Sequence, residues 1–111
     1  MSYNSAALVL MSQAGGPVGR KFWTYDTVDA TTDVDAAGYI SDAKKRGMEK
    51  GDMVHVVCWT TAIPTTTAEK QTAAATANVI ADASWYIVMG ISTAGAADLS
   101  NETAITITNS D

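Results

Sequence analysis

Residues that carry chemistry are scarce in this chain. It holds one histidine and one cysteine, two prolines and one phenylalanine, and only 17% of its 111 residues are charged. A single cysteine, Cys58, excludes an internal disulfide and any cysteine-built metal site. A single histidine, His55, excludes a pair of imidazole ligands. Lysine and arginine number 7 against 12 acidic residues, for a net charge of −5. Phosphate binding needs clustered cations, so nucleic acid is not an expected partner. The one basic cluster, Lys44, Lys45 and Arg46 with Lys50 nearby, reads as a helix end that complements the negative pole of its dipole. No apolar run approaches the ~20 residues that cross a bilayer. Ala6 to Met11 is also too short for a signal-peptide core, and the residues before it lack a basic start. No membrane contact is expected, and a reducing compartment is.

Alanine and threonine, with serine and asparagine, take the place of the missing charge, while hydrophobic residues reach 47%. Such a surface suits contact with another subunit, where buried charge is costly. The length fits one domain, which buries about two-thirds of its unfolded surface.

Ser5 to Met11 reads as a strand or an arm, and Gln13 to Gly19 as a flexible loop. The string GGPVGRK fails as a phosphate loop, because Phe22 rather than serine or threonine follows Lys21, and Pro17 removes a backbone donor. Residues 1–19 are therefore expected to be an N-terminal arm with a glycine-rich loop, and residues 20–111 a single β-rich domain. Leu8, Val9, Leu10 and Met11 are its candidate contacts with other copies or with a shell.

Phe22 to Thr27 alternates in a strand pattern, with Trp23 and Tyr25 expected to face the core. Asp29 to Asp35 carries turn and cap chemistry, Asp33 or Asp35 being the expected N-cap. A short helix follows, at about residues 34–46, with Ala36, Tyr39, Ile40 and Ala43 as its apolar stripe. Gly38 inside it costs about 1 kcal/mol relative to alanine, enough to split it into two turns with Ser41 capping the second. Gly47 ends it. Met53 to Thr60 is apolar on both faces, so a central strand covered on both sides is expected. Thr61 to Ser84 reads as a loop around Pro64, with Thr72 to Ala83 a weak strand or a short helix, the strand being preferred. A second core strand is centred on Trp85 to Ile91, and a last one runs from Ala104 to Asn109.

The fold class expected is α+β, mainly β: a small antiparallel sandwich or open barrel with one short helical insertion. Its core is expected to hold Trp23, Tyr25, Tyr39, Ile40, Val54, Val56, Trp59, Trp85 and Ile87.

No catalytic constellation emerges. His55 and Cys58 are three residues apart on one strand, which places them on opposite faces. Cys58 reads as a small buried hydrophobe. Asp26, Asp29, Asp33 and Asp35 crowd one loop and invite a cation, but the spacing lacks the central glycine and terminal glutamate of an EF-hand. Turn and cap roles account for them, so neither metal nor cofactor is expected. Asn101-Glu102-Thr103 spells a glycosylation acceptor by chance. The three tryptophans fall on strands and read as core, a sugar-binding platform being the alternative.

The stretch from Phe22 to Thr60 resembles small bacteriophage virion proteins. The resemblance rests on Trp23, Tyr25 and Thr27, then Val34, Ala36, Ala37, Gly38, Tyr39 and Ile40, then Ala43, Gly51, Asp52 and Val54. It covers about a third of the chain. Met48 stands where such proteins tend to carry an aliphatic residue, and the remainder is similar only in its threonine- and alanine-rich style. The resemblance implies a non-enzymatic structural part of a virion: a capsid decoration or head-fibre component, or a tail appendage. It implies a homo-oligomer, a trimer by preference, partnered by a major capsid protein or another virion protein. Such a protein would be made in the bacterial host cytoplasm. A tail-fibre module that binds a receptor or glycan is the alternative.

Overall fold

Two apolar stretches with alternating side chains, KFWTYDT and MVHVVCW, pair side by side and set the plan of the molecule. The computed structural model describes residues 3–13, 19–72 and 78–107. After a 3-10 turn at Ser5–Ala7, the chain forms β1 (Leu8–Gln13), β2 (Lys21–Thr27), α1 (Thr31–Val34), α2 (Ala43–Arg46) and β3 (Met53–Trp59). It continues through α3 (Thr67–Lys70), β4 (Ile80–Ile91), β5 (Ala97–Leu99) and β6 (Thr103–Ala104). The strands make one sheet in the order β1-β2-β3-β4-β5, with β6 also paired to β4.

The architecture is mainly β with short helices, as expected, but it is one open mixed sheet rather than an antiparallel sandwich or barrel. β2 and β3 run parallel, Trp23 opposite Val54 and Tyr25 opposite Val56, while the other pairings are antiparallel. A parallel pair needs a crossover connection. Here residues 28–52 supply it and cover one face of the sheet. Val34, Tyr39, Ile40, Ala43 and Met48 descend from the crossover onto Leu8, Trp23, Tyr25, Val54, Val56, Tyr86 and Val88 of the sheet.

The expected helix at 34–46 is two single turns. Gly38, at φ +80, takes a left-handed conformation between them, which interrupts a right-handed coil. The first turn starts after Ala30 and not after Asp33 or Asp35; the second starts after Asp42 rather than Ser41, and neither has a side-chain cap. Gly47 ends the second turn at φ +90. Its N–H donates to the Lys44 carbonyl and that of Met48 to the Ala43 carbonyl, the paired bonds of a Schellman stop. Met48 beyond it is buried.

α3 was not legible as a helix in the monotonous Thr61 to Ser84 stretch, though its signal is present. Thr66 accepts from the Glu69 N–H at 3.2 Å, and the Glu69 carboxylate accepts from the Thr65 N–H at 3.0 Å. This is a capping-box arrangement shifted by one donor. Residues 73–77 of the expected weak strand at 72–83 and the end of the expected last strand lie outside the described residues. Within them, β4 begins at Ile80 and β6 spans only Thr103–Ala104.

Two corrections concern the core and the arm. Trp23, Tyr25, Tyr39, Ile40, Val54 and Val56 are buried, but Trp59, Trp85 and Ile87 are only half-buried. Strand period decides this: the buried sets are Val54, Val56 and Cys58 in β3 and Ser84, Tyr86 and Val88 in β4, so the residues between them face the other way. Leu8 is 1% exposed and belongs to the core cluster. It lies opposite Tyr25, so β1 is an edge strand of the sheet and not an arm beside it. Val9, Leu10 and Met11 do remain exposed.

One buried carboxylate locks the crossover to the sheet. Asp52, 1% exposed, accepts from the Lys21 N–H at 3.0 Å, the Trp23 indole N–H at 3.1 Å and the Glu49 N–H at 3.0 Å. Hydrogen bonds to a charged group each contribute about 1.5–3 kcal/mol. Asp52→Ala leaves three donors unpaired, two of them on the backbone, and is expected to cost about 3 kcal/mol or more, read as a lowered urea midpoint at unchanged slope. Ser84 provides the contrast, being 0% exposed with no partner for its hydroxyl among the described residues. Ser84→Ala is expected to be neutral or to stabilise by about 1 kcal/mol in the same measurement.

Candidate interaction face

The crossover covers one face of the sheet, and strand register says which side chains stand on the other, the face bare of the crossover. Residues directly opposite in neighbouring strands share a face. A first row across the sheet is Val9, Thr24, His55, Trp85 and Thr103; a second is Ser12, Phe22, Met53 and Ile87; Asp26 and Val57 begin a third. Asp26 is the one carboxylate in these rows. β3 is thus central but covered on one side only, contrary to the expectation of two covered faces.

Aromatic rings organise the middle of this face. The His55 ring stacks on Trp85 with centroids 4.7 Å apart, and Phe22 meets Trp85 edge-on at 5.4 Å. Such pairs contribute about 0.5–1.5 kcal/mol beyond their burial. Met89 continues the face at the end of β4, 56% exposed. A shallow depression of about 360 Å³ opens between Met53, Trp85, Ile87, Ser100 and Thr103. Trp59, beyond the register shift that follows Cys58, has a shielded indole nitrogen with no hydrogen-bond partner among the described residues.

The polar groups that sequence reasoning weighed for chemistry are engaged elsewhere. Cys58 is on the covered face, opposite in direction to His55, and burial, followed by the fields of Asp82 and Asp29, pushes its thiol up to about 11. A thiol so shifted is a poor nucleophile. The Asp26 to Asp35 carboxylates do not converge. Asp29 accepts from the Tyr39 hydroxyl at 2.6 Å, and Asp33 lies in the first turn of α1. Asp35 is paired with Glu102, its carboxyl raised by burial and by that neighbour. Among the described residues no three histidine, cysteine, aspartate or glutamate side chains gather to hold a metal ion. None of the described helices is long and apolar enough to cross a membrane.

A chain of tyrosines on the covered side was not foreseen as a unit, because its members are far apart in sequence. The Asn4 N–H donates to the Tyr25 hydroxyl at 3.0 Å, and Tyr25 and Tyr39 hydroxyls lie 2.9 Å apart. Since the Tyr39 proton goes to Asp29, Tyr25 supplies the proton between the two rings. Tyr3 packs on both and donates to Asp42 at 2.5 Å. Arg46 reaches over the edge of β1 to the carbonyls of Ser5 and Leu8. This lattice fastens the start of the chain to the crossover.

The comparisons with family models, with curated proteins and with solved structures found no match to this chain.

The lattice has a signature in alkali. Burial first, then the hydrogen bond to Asp42 for Tyr3 and to Asp29 for Tyr39, raises both phenols above their ordinary value, and burial does the same for Tyr86. A phenol raised in the folded state contributes stability that is full below the unfolded value of about 10 and is lost as pH rises beyond it. The urea midpoint is therefore expected to show no loss from these phenols between neutrality and about pH 9 and to fall above about pH 10, with phenolate absorbance appearing together with unfolding.

Proposed function

We propose that this chain is a non-enzymatic structural protein of a virion, a capsid decoration or head-fibre component that assembles with copies of itself. Its other partner is a major capsid protein or another virion protein, and its place is the particle, after synthesis in the bacterial host cytoplasm. The observation that carries the assembly part is the bare sheet face: aromatic, aliphatic and threonine side chains with one carboxylate, in a chain of net charge −5. Contiguous apolar surface rimmed by polar residues marks interaction sites. The virion part is supported by the resemblance of Phe22 to Thr60, which also implies a trimer. Val9, Leu10 and Met11, exposed on the free edge of β1, are the proposed contacts with the shell. Leu8 is not one of them.

A tail-fibre module that binds a receptor or glycan is the second reading. What favours it is Trp85, half-buried on the bare face with His55 stacked against it, since such a ring can also serve as a platform for a sugar.

Light scattering over a range of concentrations is expected to give a mass above one chain, and a monomer at every concentration overturns the reading. Imaging of particles with and without the protein tests the location. Removing residues 1–16 is not a clean test, because it strips β1 and uncovers Tyr25. Leu10→Lys with Met11→Lys is expected to leave the urea midpoint within about 0.5 kcal/mol of the parent and to abolish binding to particles. Retained binding rejects the edge assignment.

A further inference from the structure

We propose that the bare face of the sheet is covered by the same face of another copy, so that the sandwich expected within one chain is completed between chains. The proposal rests on the homo-oligomer reading above, takes two facing copies as its unit in place of the trimer that the resemblance implies, and names its surface.

Area argues for a flat occupant. Four strand columns, β1 to β4, span about 19 Å at the usual strand spacing, and seven residues of strand span about 23 Å, while β6 adds only Thr103 and Ala104 beside β4. The face is then about 450 Å² in plan, against the about 800 Å² of accessible surface per partner in a standard interface. A pleated surface of that plan reaches the standard figure only when covered nearly whole. A peptide or a loop would leave part of it wet, whereas an equal sheet covers it all, at the about 10 Å separation of stacked sheets.

Charge permits a copy. Two chains of net charge −5 repel wherever their acidic surfaces meet. The paired rows on this face offer a route of approach in which Asp26 is the single carboxylate, and Asp26 stands at one end of its strand, away from the centre.

Register then says what meets what. The middle strand in the order β1-β2-β3-β4-β5 is β3, and the middle member of its three outward residues Met53, His55 and Val57 is His55. When equivalent faces close on a symmetry axis, the central residue lies near its own copy. His55 and the Trp85 ring stacked on it are therefore the centre of the contact.

His55→Cys with a short bis-maleimide tests this. Stacked sheets are too far apart for a disulfide, which needs Cα atoms within about 7 Å, but within reach of such a spacer. Most of the substituted protein is expected to run at twice the chain mass on a denaturing gel. The parent, whose only thiol is the buried Cys58, is expected to stay unlinked. An assembly of more than one chain whose position-55 thiols stay unlinked overturns the face assignment and leaves the homo-oligomer reading standing. A monomer at all concentrations overturns both. Should His55→Cys not fold, the parent itself carries the test: iodide quenching of its tryptophans is expected to rise on dilution, and quenching independent of dilution in an assembled protein overturns the face assignment.

Discussion

Parallel pairing of β2 with β3 is the constraint from which the rest of this molecule follows. A chain leaving β2 at Thr27 must return to the other end of the sheet before it enters β3 at Met53. It can do so only across a face. The 25 residues that make the return therefore become a layer, and that layer decides which half of each alternating strand is core. Trp23 and Tyr25 are buried beneath it; Phe22 and Thr24 are not.

A layer built from two single helical turns has little cohesion of its own, since helices this short are unstable alone. Its order comes from bonds to the sheet. Asp52 ties its end to the start of β2. Tyr39 and Asp29 tie its beginning to Tyr25. The Ile40 carbonyl accepts from the Ala97 N–H at 3.0 Å, and the Gly95 carbonyl from Lys44 at 3.0 Å, so the hairpin between β4 and β5 holds the middle. Tyr86 donates to the Thr31 carbonyl at 2.8 Å. These carboxylates and phenols are thus the fastenings of the crossover, and what the protein presents outward is a sheet face with little charge. That division of labour supports a role in assembly: polar groups hold the shape, and the face left over carries the contact.

How far this was legible varies from residue to residue. The alternation in β2 and the stop at Gly47 were plain, because strand period and the left-handed tolerance of glycine are local properties. The mainly β class followed from the same kind of signal. Trp59, Trp85 and Ile87 were assigned to the core because they are large and apolar, yet the strands holding them are apolar on both sides, so period alone cannot say which half is covered. Leu8 was placed on an arm because nothing near it in sequence shows that Tyr25 and Arg46 will receive it. Asp52 read as a turn residue, and only its three donors, 3, 29 and 31 residues away, reveal it as a buried tie. The bare face could not be read at all, since it exists only once five strands are set side by side.

Composition and local pattern, then, determined the class of the protein: mainly strands with short helices, in a chain poor in charge. Tertiary structure decided the mixed sheet, the choice of buried face and the tyrosine and Asp52 ties. The physical reason is range. Propensity, period and capping act over a few residues, whereas parallel pairing and the side of a crossover depend on contacts between segments tens of residues apart.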